Sequence, residues 1–103
     1  MTTAAFDGLI HPPHRLQLCA MLASVESLAF ATARESLGLS DSALSKQVCT
    51  LQDAGYLTVA KGPGNARVRT WLALTSQGRQ ALAGHLAELR RLADMADDAP
   101  TES

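Results

Sequence analysis

The hydrophobic positions of this 103-residue chain recur at two spacings, one typical of helices and one typical of strands. Apolar residues follow helical spacing in four stretches, which are residues 12–24, 31–38, 40–54 and 75–96. They alternate with polar residues in residues 56–62 and 67–75, and residues 26–30 have weaker strand character. The pattern therefore predicts the order helix, short strand, helix, helix, strand, strand, helix.

Residues that begin and end helices lie at the expected boundaries. Pro12 or Pro13 suits the first turn of the first helix, because proline has no amide hydrogen to lose there. Gly38 is typical of a left-handed helix end, and Ser40 and Thr75 are typical N-caps. Only three residues, from Gly38 to Ser40, separate the second helix from the third, which is the length of a helix-turn-helix corner.

The two strands enclose the sequence PGNA, a cluster of turn-forming residues, and should therefore pair as a hairpin. Lys61, Arg67 and Arg69 lie at or near its tip. A helix-turn-helix followed by a basic hairpin predicts an α+β, mainly helical fold, the winged helix-turn-helix.

The third helix has an unusual outer face. Leu44, Val48 and Leu51 share one side and should face the core. The opposite side has short polar side chains and one lysine instead of the charge pairs common on solvated helices, namely Ser42, Ser45, Lys46 and Cys49. Short side chains let a helix enter the major groove of DNA, which is about 12 Å wide.

Charge is distributed unevenly although the net charge is only −1. Residues 41–80 carry a net charge of +3 and residues 81–103 carry −3. The positive middle contains the third helix and the hairpin, so it favours a polyanion as a local partner.

The first and last helices have more apolar surface than one small core requires. The first helix has two apolar stripes, and the last has a 4-3-4-3 seam typical of helix pairing. The sequence predicts a homodimer, with these interface residues: Leu16, Ala20, Ala23, Leu82, Leu86, Leu89 and Ala93.

The segments LGLSDSALSKQVCTLQDAGYLTVAKG and RTWLALTSQGRQAL resemble the MarR/ArsR-type winged-helix transcriptional regulators, in particular their small bacterial members. The resemblance covers about residues 7–92. It implies a homodimeric regulator of transcription that binds double-stranded DNA, more often a repressor, with a possible small-molecule effector. It implies that the recognition helix contributes Ser40, Ser42, Ser45 and Lys46, and that the wing contributes Lys61, Arg67 and Arg69.

Asp41 departs from the uncharged residue expected beside phosphates. Its carboxylate either favours the helix N-terminus or accepts from a cytosine amine. With it and Cys49 included, the predicted DNA-binding residues are Ser40, Asp41, Ser42, Ser45, Lys46, Cys49, Lys61, Arg67 and Arg69.

Other interpretations stay open. The outer face of the third helix could be ordinary solvated surface, and the wing arginines could only discourage strand pairing. The domain could be a protein-interaction module without DNA binding, or a metal- or redox-sensing regulator. Oxidation of Cys49 could block DNA binding. His85 with Glu88 could ligate a metal, although surface histidines are the simpler interpretation.

The remaining features set the class of protein. No enzyme motif, cofactor motif, metal set or membrane span is recognisable. Cys19 and Cys49 lack paired spacing and indicate free thiols in the cytoplasm, with Cys19 in the core. We expect a flexible N-terminus over residues 1–8, the winged-helix domain over 9–96 with its dimerisation helix at about 75–96, and a disordered acidic tail over 97–103.

Overall fold

The structure, a computed structural model, describes residues 2–64 and 67–98. These residues form four helices and three strands in the predicted order. The elements are α1 (Pro13–Ala23), β1 (Leu28–Ala29), α2 (Phe30–Leu37), α3 (Asp41–Asp53), β2 (Leu57–Pro63), β3 (Val68–Leu74) and α4 (Ser76–Asp97). The predicted class, a mainly helical winged helix-turn-helix, is confirmed.

A tight corner joins α2 to α3. Gly38 adopts the left-handed conformation with φ +66°, which side chains disfavour. The next amide, that of Leu39, donates to the carbonyl of Arg34 at 3.1 Å, and this ends α2. Ser40 then caps α3, because its hydroxyl accepts from the amide of Ala43 at 3.1 Å. The corner fixes the last turn of α2 beside the first turn of α3.

The three strands form one antiparallel sheet in the order β1-β3-β2. The β2–β3 hairpin, here called the wing, is paired from Leu57↔Leu74 to Pro63↔Val68. Its base is anchored by the buried Leu57, Leu72 and Leu74, while its distal half extends beyond the core. The turn predicted from PGNA includes residues 65 and 66, which lie outside the described residues.

The core lies where α1, α3, α4 and the base of the wing meet. Leu44, Val48 and Leu51 of α3 are buried in it, as their spacing predicts. The α1 face that contributes to it contains Leu18, Cys19 and Leu22. Burial of aliphatic side chains like these is worth about 1.5–3 kcal/mol each and fixes the direction of α3. The exposed side of α3 follows directly from its buried side.

Only the first half of α4 belongs to this core. Gly78 lets the helix approach the wing, since a Cβ there would lie 2.1 Å from the carbonyl oxygen of Tyr56. Leu82 is only 4% exposed and packs within its own chain. Leu82 therefore has almost no surface with which to contact a second copy, and it does not belong in the predicted dimer interface. From Arg90 onward every described residue of α4 is exposed.

Residues 3–11, here called the N-terminal strap, cross α4 instead of leaving the domain. The sequence predicts a flexible segment over residues 1–8, whereas the structure ties Ala5 and Asp7 to α4 by hydrogen bonds. His85 is fully buried beneath the strap, so the prediction of a surface histidine is wrong at that position. The predicted tail begins at Asp97, which still belongs to α4, and residues 99–103 lie outside the described residues.

Candidate nucleic-acid interface

The outer face of α3 is polar and exposed. Ser42, Lys46 and Cys49 lie on the side opposite the buried Leu44, Val48 and Leu51, and Ser45 lies beside them. The side chains of Ser45, Lys46 and Cys49 have no hydrogen-bond partner among residues 2–64 and 67–98. The chain therefore leaves this face uncovered and its polar groups available to a partner.

The first turn of α3 adds further donors. Ser40 accepts from the amide of Ala43, and its hydroxyl lies 3.3 Å from that of Ser42. The amides of a helix's first turn have no partner within the helix, and the helix dipole makes this end positive. A phosphate beside Ser40 and Ser42 would find both hydroxyls and backbone amides.

Asp41 is paired with a residue that the sequence analysis missed. Its Oδ1 lies 3.1 Å from Nε of Arg34, which sits in the last turn of α2. The pair offsets the negative charge that Asp41 would otherwise place beside a phosphate. A basic residue in the last turn before a three-residue corner is the sequence signal that would have indicated it.

A groove of about 400 Å³ runs between α3 and the sheet. The α3 residues Asp41, Ser45 and Cys49 line one wall, and Thr70 of β3 lies on the other. The groove also contacts Phe30, Val48, Gln52, Val59 and Leu72. The structure therefore brings three of the predicted α3 residues next to Thr70 of the wing, although they are more than 20 residues from it in sequence.

The wing presents its three cations differently. Lys61 donates to the hydroxyl of Thr70 across the hairpin at 2.9 Å. Arg67 and Arg69 are exposed and line a second hollow of about 280 Å³ together with residues 29–31 at the start of α2. Trp71 donates from Nε1 to the carbonyl of Pro63 at 3.2 Å, which braces the hairpin. Its side chain is partly exposed.

The charge of this surface is available to an anion. Lys46, Lys61, Arg67 and Arg69 form no ion pair within the part of the chain that the structure describes. Asp53, at the other end of α3, is also exposed. Positive charge is therefore concentrated at the wing and in the middle of α3. The backbone of a DNA duplex lying along this helix would pass the same positions.

The predicted dimer residues divide into two groups. Ala20, Ala23 and Ala93 are exposed, whereas Leu16, Leu86 and Leu89 are partly buried. Leu92 and Met95, which the prediction did not include, are 42% and 58% exposed on the distal half of α4. Their apolar character near the end of an otherwise charged helix was the available signal.

The described residues also bear on the metal-binding and thiol alternatives. Within residues 2–64 and 67–98, no three histidine, cysteine or acidic side chains converge as a metal set would require. Cys19 is a buried free thiol, as predicted, and Cys49 is an exposed one. No helix in the described ranges is both long enough and apolar enough to cross a membrane.

Comparison with known proteins identifies the family. Residues 14–93 match the winged helix DNA-binding domain family, and the chain belongs to it. The uncharacterized protein MJ0432 of Methanocaldococcus jannaschii is 28% identical over 78 residues, which is 76% of this chain and 85% of that protein. The resemblance to winged-helix transcriptional regulators is thereby confirmed.

Solved structures show the same fold. A transcriptional regulator homologue from Pyrococcus horikoshii OT3 superposes with a TM-score of 0.81 at 22% identity, covering 86% of this chain and 88% of that one. The heme sensor protein PefR from Streptococcus agalactiae, in complex with heme, gives 0.73 at 21% identity, covering 93% of this chain and 65% of that one. At these identities the likeness concerns the fold.

Proposed function

We propose that the protein is a homodimeric repressor that binds a specific double-stranded DNA sequence through α3 and the wing. The observation that carries the proposal is the uncovered outer face of α3, where Ser45 and Lys46 have no partner in the described chain. Burial of Leu44, Val48 and Leu51 turns this face outward, and the basic wing lies beside it. Membership of a DNA-binding family supports the same conclusion.

In the proposed complex, α3 enters the major groove and the wing follows the backbone. Ser42 and Ser45 are short enough to reach base edges, and Lys46 can bond a phosphate or a guanine. Arg67 and Arg69 neutralise phosphates beside the groove. The Arg34–Asp41 pair keeps the start of α3 near neutral, so that Asp41 does not repel the backbone.

The dimer proposal rests on the distal half of α4 and the outer side of α1. Leu92 and Met95 are exposed apolar side chains one helical turn apart beyond the chain's own core, and the exposed Ala93 continues the predicted seam of Leu86 and Leu89. Pairing two copies here would cover these residues. A two-fold dimer would present two α3 helices to half-sites about 34 Å apart. Occupation of such a site excludes other proteins from the same DNA, which is the basis of repression.

The first experiment selects duplexes from a random pool and repeats the binding at two salt concentrations. We expect a two-fold symmetric motif whose affinity falls steeply with salt. If no duplex is bound in a salt-sensitive way, the DNA proposal is wrong and the domain is an interaction module. An effector-controlled regulator would also release the selected duplex when the cell's small molecules are added.

Single substitutions then test the assigned surface. Lys46→Ala should lower the affinity for the selected duplex more than the affinity for unrelated DNA. Arg67→Ala should lower both affinities and reduce the slope of log affinity against log salt concentration by about one. Arg90→Ala removes the same charge from an exposed position on α4 and should leave both affinities unchanged. Equal behaviour of all three variants would move the interface away from α3 and the wing.

The dimer is tested separately. Ala93→Asp adds a charge at an exposed position, so the monomer fold should persist while the pairing surface is disrupted. Gln80→Asp adds the same charge at an exposed position in the first half of α4, 13 residues from Ala93, and serves as the control. Sedimentation should show a dimer for the control and a monomer for Ala93→Asp. A dimeric Ala93→Asp would place the interface elsewhere.

A further inference from the structure

The N-terminal strap crosses α4 at a position without a side chain. The amide of Ala5 donates to the carbonyl of Gly84 at 3.0 Å. A Cβ on residue 84 would lie 2.9 Å from the carbonyl oxygen of Thr3, which is closer than such atoms approach. The strap can therefore lie this close to the helix only because residue 84 is glycine.

His85 lies directly beneath the strap, and both of its ring nitrogens are engaged. The amide of Asp7 donates to Nδ1 at 2.9 Å, and Nε2 lies 3.1 Å from Nδ1 of His11. Since Nδ1 accepts, the single ring proton of a neutral His85 must be on Nε2, from which it is donated to His11. Phe6 covers the pair, with its ring centroid 4.8 Å from that of His85.

The carboxylate of Asp7 is already occupied and holds the other end of the crossing. Oδ1 accepts from the amides of Leu9 and Ile10 at 2.9 and 3.1 Å, and Oδ2 accepts from the hydroxyl of Tyr56 at 2.6 Å. This bond, followed by burial, raises the pKa of Tyr56 to about 12, so the phenol stays protonated. Asp7 cannot turn to meet a charged His85 without losing these bonds.

We propose that the strap is a proton-operated latch, closed while His85 is neutral and opened when its ring takes up a second proton. A second proton on His85 would point its Nδ1–H at the Asp7 amide, which is also a donor. This event replaces the hydrogen bond between the strap and α4 by two opposed donors, which is unfavourable.

The surroundings of the pair favour the neutral state. The titratable or charged groups that contact the strap or act on Asp7 are Tyr56, immediately before β2, and Cys19 and Arg15 on α1. Burial, and then His11, lower the pKa of His85, whereas Asp7 raises it without restoring the ordinary value. Burial first and Asp7 second raise the pKa of Cys19 to about 11, so its thiol adds no charge.

The direction of the pH effect follows from these facts. A released strap exposes His85, whose pKa then approaches its ordinary value near 6.5. The released state therefore binds protons more readily than the closed state, and the closed state is fully favoured above that pH. As the pH falls from 6.5 through the lowered pKa of His85, the ratio of closed to open strap should fall by up to about tenfold per pH unit.

Amide exchange in the free protein tests the latch without DNA. Between pH 7.5 and 5.5, the amides of Ala5 and Asp7 should lose protection together, after correction for the intrinsic rate. The ring nitrogens of His85 should change from the Nε2–H tautomer to the doubly protonated form over the same range. The amide of Leu44, bonded to Ser40 at 3.0 Å inside α3, should stay protected and report that the domain is folded.

Two variants make the test decisive. Gly84→Ala changes no titrating group and favours the helix, and it should expose the Ala5 and Asp7 amides already at pH 7.5. His14→Gln removes a histidine of α1 outside the pair and should leave the wild-type transition unchanged. The latch is refuted if wild-type protection is the same at both pH values, or if Gly84→Ala protects the two amides as wild type does. These outcomes are independent of DNA binding.

Discussion

The outer face of α3 and the N-terminal strap use their polar groups in opposite ways. On α3, the side chains of Ser45, Lys46 and Cys49 are exposed and bond to no described residue. Under the strap, the buried His85 uses both ring nitrogens, and Asp7 accepts three hydrogen bonds.

The difference separates groups that hold the fold from groups that serve a partner. A buried polar group must be bonded, or it costs about 1–3 kcal/mol, so the strap's network is required by folding alone. No such requirement leaves Ser45, Lys46 and Cys49 without a hydrogen-bond partner among the described residues. The outer face of α3 is therefore better explained by binding, whereas the strap's network is explained by the fold.

The largest contrast is expected from two neighbouring residues of α3. Leu44→Ala should lower the free energy of unfolding by about 2–5 kcal/mol, because it leaves a cavity beneath the helix. Ser45→Ala, one position away on the exposed side, should change the free energy of unfolding by less than about 0.5 kcal/mol but should lower the affinity for DNA. Urea unfolding measures both. Similar losses would show that Ser45 belongs to the fold.

A smaller effect is expected beneath the strap. Tyr56→Phe should cost about 1.5–3 kcal/mol at neutral pH, since it removes a hydrogen bond to a carboxylate. Burial raises the pKa of Asp7, but the bonds from Tyr56, Ile10 and Leu9, with His85 nearby, hold it below the ordinary value. The stabilisation is thus present above about pH 4 and lost as the pH falls through the lowered pKa.

Urea unfolding of wild type and Tyr56→Phe at pH 7 and in acid measures this dependence. The difference between the two proteins should be full at pH 7 and should shrink in acid, where Asp7 is protonated in both. A difference that stays constant across this range would mean that the phenol stabilises the domain by packing alone.

The N-cap of α3 has both kinds of role, because it stabilises the fold and faces the proposed DNA. Ser40→Ala should cost about 1 kcal/mol, since the amide of Ala43 loses its acceptor. Thr75→Ala, which removes the cap of α4, should cost a similar amount but leave DNA affinity unchanged. If Ser40→Ala lowers the affinity for DNA no more than Thr75→Ala does, the first turn of α3 lies away from the phosphates.

The smallest effect on stability is expected at the Arg34–Asp41 pair. Asp41→Asn should change the unfolding free energy by about 0–1 kcal/mol, because the pair is exposed. The same change should raise DNA affinity, since it removes a negative charge from the first turn of α3. Glu26→Gln removes an equal charge from an exposed position between α1 and β1 and is the control. Lower affinity for Asp41→Asn would indicate a direct contact between Asp41 and a base.

The sequence predicted much of the proposed DNA surface. The order of elements, the caps Ser40 and Thr75, the left-handed Gly38 and the exposed side of α3 all follow from short-range rules. Each depends on spacing or on chemistry within about four residues, and such signals survive in any fold that lets the helix form. The wing followed equally from alternation around a turn-forming segment.

Tertiary structure decided what short-range rules do not reach. The bonds that hold the strap join residues 78, 74 and 49 positions apart, so no periodicity indicated that His85 is buried or that residues 3–11 are bound. Leu82 fits a pairing seam by spacing, yet the packing of α4 against the wing places it in its own core. Arg34 meets Asp41 only because the corner turns the chain between them.

What the sequence settled by itself is a slender polar helix beside a basic hairpin, because both arise from local periodicity. What only the folded chain settled is which polar groups are already used. A hydrogen bond between distant residues depends on how elements pack, and that packing determines whether a histidine or a leucine is available to a partner.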